Sequence, residues 1–424
     1  MCQIDLICEF RKRNLISQIA NEKKLIFQIK NNKITLYCGF DITAESLHIG
    51  HILPLLCLKR FQEIGHRPIV LIGGATSLIG DPSFKISERR LNSIELVNTW
   101  KKSITNQVSL FLDFNSSYNK AMIINNYKWF EHMSLLKFLR TIGKHFSINK
   151  MITRDAVKKR INRLDTGISF TEFSYNLLQA YDFSILHNKY NVMLQIGGSD
   201  QWGNIVSGID LIRRLYKNEV YGLTIPLLTQ KNGIKFGKTE KNTVWLDAKK
   251  TSPYKFYQYW VNISDCDVCR FLKFFTVLSV SKIDALESCN SITELNKSKL
   301  FLAEYLTNIV HGKHGVKSAK RISSCLFYGD FHNMERSDFI QLEQDGIPSI
   351  KISGIRDLQQ VLVDAFLAPS RSQARNMILS NAIKINHVRQ NNEMYVFSNS
   401  DIFFERYTLL SRGKKHFCLI CWIS

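Results

Sequence analysis

No apolar run in the 424 residues reaches the roughly 18 that a membrane helix needs, so a spanning segment is excluded and no membrane partner is expected. The first fourteen residues mix Asp5 and Glu9 with Arg11, Lys12 and Arg13 and lack the apolar core of an export signal, which makes a cytoplasmic location the expectation. Low-complexity tracts are missing too. With 45% hydrophobic and 22% charged residues the chain can bury a core along most of its length, and that length suits two or three domains. The ten cysteines lack the close spacing of a disulfide framework, so reduced thiols are expected. Two C-x-x-C pairs, Cys266 with Cys269 and Cys418 with Cys421, would in principle offer zinc four thiolates. The first pair falls in a helical pattern and the second in a strand-like run, so both read as ordinary structural thiols and no structural metal is expected. Acidic residues are scarce: 36 Asp and Glu stand against 57 Lys and Arg, a formal charge of +21. That excess suits a polyanionic partner, although richness in Lys, Asn and Ile makes part of it plain solvated surface.

What is present reads as layers. Ile34 to Phe40 is a short apolar strand, Leu47 to Ile64 has helical spacing, and Pro68 to Ile72 is a buried-type strand, together a βαβ unit. Further strands are expected at Val192 to Ile196 and Leu223 to Leu228, with helical segments at Phe173 to Ala180 and Asn204 to Tyr216. An open parallel sheet of the α/β, Rossmann-like class follows. From Pro253 the spacing is helical, with Phe256, Tyr259, Trp260, Phe271, Phe274 and Phe275 on it. The expected division is a catalytic domain over 1–250, an α-helical domain over 251–327, a linker with one short helix near Phe339 over 328–354, and a small α+β module over 355–424.

The chemistry-bearing pattern lies after the first strand. Tyr37-Cys38-Gly39-Phe40-Asp41-Ile42-Thr43 is followed by Leu47-His48-Ile49-Gly50-His51, which places two imidazoles at a helix start. Such an end offers unpaired N–H groups and positive dipole to a triphosphate, and Gly50 carries no Cβ to block close approach. Donors there stabilise charge on an α-phosphate under in-line attack, by electrostatics and positioning and without a protein nucleophile. A pair of ordinary helix-cap histidines is the plainer reading. Lys235-Phe236-Gly237-Lys238-Thr239 forms a second element whose lysines and hydroxyl can grip departing pyrophosphate. By itself this would be a solvated turn. A third, Gly73 to Ser83, is glycine-rich and leads into Lys85 and Arg89, two cations able to swing onto the phosphates.

Taken together, these elements resemble the bacterial tyrosyl-tRNA synthetases of class I, with their His-Ile-Gly-His helix start and a Lys-Phe-Gly-Lys-Thr variant of the second signature. Gly167 to Asp182 and Gln195 to Asn204 strengthen the likeness, which covers essentially the whole chain. The resemblance implies adenylation of L-tyrosine by ATP, with Mg²⁺ accompanying the nucleotide, then transfer to tRNA(Tyr), in a homodimer. It further implies that Tyr37 and Asp182 bond the substrate phenol, that Tyr175, Gln179 and Asp81 hold its ammonium, and that Gln201 lies near its carboxylate. Gly39, Asp41, Thr43, His48, Gly50, His51, Gly198 and Asp200 would meet ATP. Lys85, Arg89, Lys235, Lys238 and Thr239 would stabilise the pyrophosphate side of the transition state. A phenol reader rejects phenylalanine by leaving its own polar groups unpaired, tyrosine against phenylalanine in this family being the standard illustration of the rule. The stretch between His51 and Lys235 has no room for an editing domain, so proofreading is not expected.

The last segment resembles the S4-type RNA-binding module. Ser370 or Ser372 would cap a helix that carries Arg371 and Arg375 on one face, and Arg412, Lys414 and Lys415 extend the basic patch. Arg154, Lys158, Lys159 and Arg160, in the basic stretch that ends at Arg163, would meet the acceptor stem. Two rivals are a catalytically silent RNA-binding relative and the tryptophan-specific synthetase. Intact histidine and lysine motifs oppose the first, and the phenol pair Tyr37 and Asp182 opposes the second.

Overall fold

The computed structural model describes residues 5–81, 93–153, 157–158, 161, 167–229, 243–289, 291–331, 333–354 and 356–423. Its contacts divide the chain into two compact units, Met1–Leu246 with Ser264–Leu295, and Asp247–Ile263 with Asn296–Ser424.

The first unit is built on six strands: β1 (Gln18–Ala20), β2 (Thr35–Asp41), β3 (Arg67–Gly73), β4 (Met122–Asn125), β5 (Val192–Gly198) and β6 (Tyr221–Ile225). Their order is β1-β6-β5-β2-β3-β4. All neighbours run parallel except β1, which lies antiparallel on β6. This is the parallel sheet expected, with an antiparallel edge that three half-exposed residues gave no periodicity to foretell. Pro68 to Gly73 and every residue of β6 are buried, because helices cover both faces and the strands need no polar side. The helix Ile52–Glu63 joins β2 to β3 and buries Ile52, Leu53, Leu55, Leu56, Leu58 and Phe61. The chain leaves β2 toward β3 and β4, and from β5 it proceeds the other way to β6. The gap between the adjacent strands β2 and β5 is therefore the switch point, the place where such sheets open a crevice at their carboxyl ends.

The second unit holds a sheet of β7 (Ser349–Ser353), β8 (Ile383–Ile385), β9 (Val388–Arg389), β10 (Tyr407–Arg412) and β11 (His416–Ile423), ordered β7-β11-β10-β8-β9. Strand alternation separates two cores. Leu410, Cys418 and Ile420 pack under the helices Leu358–Asp364 and Arg371–Leu379, whereas Tyr407, Leu409, Leu419 and Cys421 face Tyr254, Ile322, Leu326 and Phe339. Cys418 and Cys421, three apart on one strand, thus belong to opposite faces, and burial pushes both thiols up to about 11. Within 328–354 lie the helix Arg336–Gln341 and the strand β7, which pairs in parallel with β11. Among the described residues, no helix is long and apolar enough to cross a membrane.

Candidate active site

A cavity of about 560 Å³ opens at the carboxyl ends of β2 and β5. Every described residue expected to bind tyrosine or ATP lines it: Tyr37, Gly39, Asp41, Thr43, His48, Gly50, His51, Asp81, Tyr175, Gln179, Asp182, Gly198, Asp200 and Gln201. Lys85, Arg89, Lys235, Lys238 and Thr239 lie outside the described residues. Asp81, which precedes residues 82–92, lines the cavity, as do Leu228 and Thr243 on either side of 230–242.

The histidine motif is locked by its own rings. His48 is the N-cap of the turn Ile49–His51 that runs into the helix Ile52–Glu63. Its Nδ1 accepts the Gly50 backbone N–H at 3.0 Å, and His51 Nδ1 accepts the His48 backbone N–H at 3.1 Å. Both Nδ1 atoms are therefore acceptors, so each neutral ring carries its proton on Nε2 and presents an N–H donor. The cap itself sets the tautomer. The rings lie 4.0 Å apart between centroids. A Cβ at Gly50 would fall 2.7 Å from His48 Cε1, so this glycine leaves room for the imidazole where it stands. The segment after 230–242 braces the motif: Ile49 N–H donates to Val244 O at 3.1 Å and Leu246 N–H to Leu47 O at 2.8 Å. At Gly39, by contrast, a Cβ would meet nothing within 4 Å.

Across the cavity, Asp41 accepts from Thr76 Oγ1 at 2.7 Å and from the Tyr175 hydroxyl at 2.8 Å. Gly73 fits this arrangement because a Cβ there would fall 2.2 Å from Asp41 Oδ1. Since Tyr175 spends its one proton on Asp41, its oxygen is left to accept from a cation. Gln201 Nε2 donates to Asp81 Oδ2 at 2.7 Å, and Asn204 Nδ2 donates to Gln179 Oε1 at 2.9 Å, with Asn176 in turn donating to Asn204 Oδ1 at 2.6 Å.

The deepest polar pair is Tyr37 and Asp182, 1% and 2% exposed. The ring of Tyr37 packs on Phe183, centroids 5.3 Å apart, and its hydroxyl is buried without a hydrogen-bond partner among the described residues. Asp182 Oδ2 accepts from Asn126 Nδ2 at 3.0 Å and Oδ1 from Trp129 Nε1 at 2.8 Å. Burial pushes the Asp182 carboxyl up to about 8 against the opposing pull of these two donors, with the Asp41 charge adding to the rise. Tyr37 and Tyr175 are both held well above the ordinary phenol value, chiefly by burial and then by the nearby carboxylates, Asp182 for the first and Asp41 for the second. Asn126 and Trp129 escaped the sequence reading. Asn126 directly follows β4, at the carboxyl end of a parallel strand, which is the only signal it carries.

In the second unit Ser370 caps the helix Arg371–Leu379 as expected, accepting from Gln373 N–H at 3.3 Å. Arg371 forms a two-pronged ion pair with Asp357 at 3.1 and 3.2 Å, Arg375 pairs with Glu393, and Arg412 donates to Leu367 O at 2.6 Å. Lys414 and Lys415 are exposed in the turn between β10 and β11, and Lys158, in the first unit, is exposed as well. Arg154, Lys159 and Arg160 lie outside the described residues.

The model of the family "tRNA synthetases class I (W and Y)" matches residues 29–328, and that of the "Tyrosine–tRNA ligase SYY-like C-terminal domain" matches residues 338–420. A tyrosine–tRNA ligase of Buchnera aphidicola subsp. Baizongia pistaciae is 64% identical over 417 residues, 98% of each chain. One from Yersinia pestis is 57% identical over 424 residues, the whole of both chains. Among solved structures, a C-terminally truncated mitochondrial tyrosyl-tRNA synthetase of Aspergillus nidulans superposes with a TM-score of 0.68 at 29% identity, covering 76% of this chain and 94% of its own. By these matches the chain belongs to the tyrosine–tRNA ligases, within the class I tRNA synthetases.

Proposed function

We propose that the cavity between β2 and β5 is where this tyrosine–tRNA ligase joins L-tyrosine to ATP, and that the tyrosyl group then passes to the 3′ end of tRNA(Tyr). The observation that carries this reading is the buried, unpartnered Tyr37 hydroxyl beside the Asp182 carboxyl: a phenol entering there satisfies one and engages the other. Tyr175, Gln179 and Asp81 take the ammonium group, and Gln201 sits near the carboxylate. That carboxylate attacks the α-phosphorus in line, the bond to pyrophosphate breaks, and a mixed anhydride with AMP forms. The Nε2–H groups of His48 and His51 hold the charge that builds on the phosphates, while Gly39, Gly50 and Gly198 admit the nucleotide, with Asp41 and Thr43 beside its phosphates and Asp200 at the ribose. Lys85, Arg89, Lys235, Lys238 and Thr239 receive the pyrophosphate. In the second step a hydroxyl of the terminal tRNA ribose attacks the carbonyl carbon and AMP departs. Mg²⁺ enters with ATP, coordinated by its phosphates more than by protein.

The division into a catalytic domain over 1–250, a helical domain over 251–327, a linker over 328–354 and an S4-type RNA-binding module over 355–424 belongs to the same reading, as does a cytoplasmic location. The tRNA is gripped by Arg154, Lys158, Lys159 and Arg160 at its acceptor stem and by Arg371, Arg375, Arg412, Lys414 and Lys415 elsewhere. Arg371 and Arg375 must exchange their acidic partners for phosphate. A homodimer is supported by the exposed Leu135, Leu136, Leu139, Ile148 and Ile152 on the short helices Leu135–Thr141 and Ile148–Ile152, an apolar surface that a second copy would cover.

Tyrosine-dependent exchange of labelled pyrophosphate into ATP tests the proposal. The chain supports it, and replacing His48 and His51 together by alanine reduces it by orders of magnitude. Exchange that persists undiminished in that double variant contradicts the reading.

A further inference from the structure

One exposed side chain in the second unit has no task in the scheme above. The helix Leu358–Asp364 ends in a tight reversal: Phe366 N–H donates to Val363 O and Leu367 N–H to Leu362 O, both at 3.0 Å, while Leu362 and Leu367 are buried in one core. This bonding pattern puts the residue just past the cap into the left-handed region, where glycine is the usual occupant because it has no Cβ to crowd the following carbonyl. Here that residue is Phe366, with φ at 54°. Burial does not offset the strain. The ring is 92% exposed, the highest value for a large apolar side chain among the described residues. Phe404 takes a similar φ of 52°, but its ring packs on Phe339 with centroids 5.7 Å apart. Single apolar side chains are ordinary on a protein surface, whereas one held in a strained backbone state without packing is the kind of outlier that collects at ligand-binding sites.

Cations border this turn. Arg412 donates to the carbonyl of Leu367, the very next residue, at 2.6 Å, and the exposed Lys414 and Lys415 follow it between β10 and β11. Asp364, two residues before Phe366, is engaged by Arg356 and Gln360. An aromatic face flanked by cations is the arrangement that holds unpaired nucleic acid, since every base has a π-face to stack and its phosphate finds a cation alongside. Resting on the reading of this module as RNA-binding, we infer that Phe366 is a stacking platform for one unpaired base of the tRNA, with Arg412, Lys414 and Lys415 meeting the adjoining phosphates. A phenyl ring has no hydrogen-bonding group, so the contact is indifferent to which base it meets. It contributes affinity and register, not sequence.

The test replaces Phe366 by glycine, the residue the turn prefers, and by tryptophan, which keeps a stacking face, and measures binding of the tRNA(Tyr) transcript. F366G weakens binding roughly five- to a hundredfold and raises the KM for tRNA in charging, whereas F366W binds as well as the parent or better. Pyrophosphate exchange, which needs no tRNA, is unchanged in both. The Tm of free F366G equals or exceeds that of the parent, which sets the loss apart from misfolding. Phe366→Asn, also at ease in this backbone state, serves where glycine loosens the turn. The slope of log affinity against log salt is unchanged in F366G, because a stacked ring releases no counterions, but falls when Lys414 and Lys415 are both replaced by alanine. Full tRNA affinity in F366G, or an equal loss in F366W, overturns the inference. So does altered sedimentation of the free protein with tRNA binding intact, which would assign the ring to a second copy of the chain. If the double lysine variant loses affinity and F366G does not, only the role of Phe366 fails; if neither does, the RNA-binding reading of this module fails.

Discussion

The Tyr175 hydroxyl donates to Asp41 Oδ2 at 2.8 Å, tying the helix Phe170–Tyr190 to the end of β2 and fixing which way the Tyr175 oxygen can act. With its proton committed, that oxygen is left as an acceptor, which is what the proposed contact with the substrate ammonium requires. Tyr175→Phe removes this acceptor and one of the donors to Asp41. The expected result is a rise in the KM for tyrosine of roughly ten- to a hundredfold, the range of a hydrogen bond to a charged group, with the KM for ATP changed far less. Steady-state exchange kinetics against each substrate check it.

Gly50→Ala should act on the chemical step and not on tyrosine binding. The added Cβ cannot coexist with the His48 ring at 2.7 Å, so the imidazole swings and its Nε2–H loses the proposed contact with the phosphates. Adenylate formation in single-turnover experiments falls by about tenfold or more, a cost of about 1.4 kcal/mol or above in the transition state. Equilibrium dialysis with tyrosine alone reads an unchanged Kd.

The buried Asp182 carboxyl gives the empty enzyme a pH dependence with a definite sign. Its folded value of about 8 lies above the ordinary 3.8, so the folded state holds the proton more firmly than the unfolded chain. The resulting stability is complete below pH 4 and is lost as pH rises through about 8. Asp182→Asn lacks this titration. Melting curves of both proteins without ligand, at pH 5 and at pH 8, should show the variant gaining on the parent at the higher pH, by at most a few kcal/mol.

Leu136→Lys places a charge on the apolar surface formed with Leu135, Leu139, Ile148 and Ile152. Leu136 is already 80% exposed, so the substitution leaves the folded chain intact. Sedimentation at micromolar concentration should find the parent at twice the chain mass and the variant shifted toward the monomer.

Much of this was legible because it is local. The βαβ unit announced itself in the apolar run up to Phe40, the periodic helix and the run ending at Ile72, and the histidine motif sits at the crevice such a unit creates. What stayed hidden depends on pairing at long range. Strand β1 is three residues long, and β7 joins its sheet through β11, some seventy residues later in the chain. Asn126 and Trp129 carry no motif, and only the fold brings them to the two oxygens of Asp182. The acidic partners of Arg371 and Arg375 were hidden as well, because Asp357 lies fourteen residues before its arginine and Glu393 eighteen after its own, and only the fold brings them together.

The central claim is that the floor of the cavity reads a phenol. Pyrophosphate exchange measured with tyrosine, phenylalanine and tryptophan in parallel tests it most directly. The account predicts robust exchange with tyrosine and background with the other two, since neither can satisfy Tyr37 and Asp182. Phenylalanine or tryptophan turning over at a rate comparable with tyrosine would contradict it.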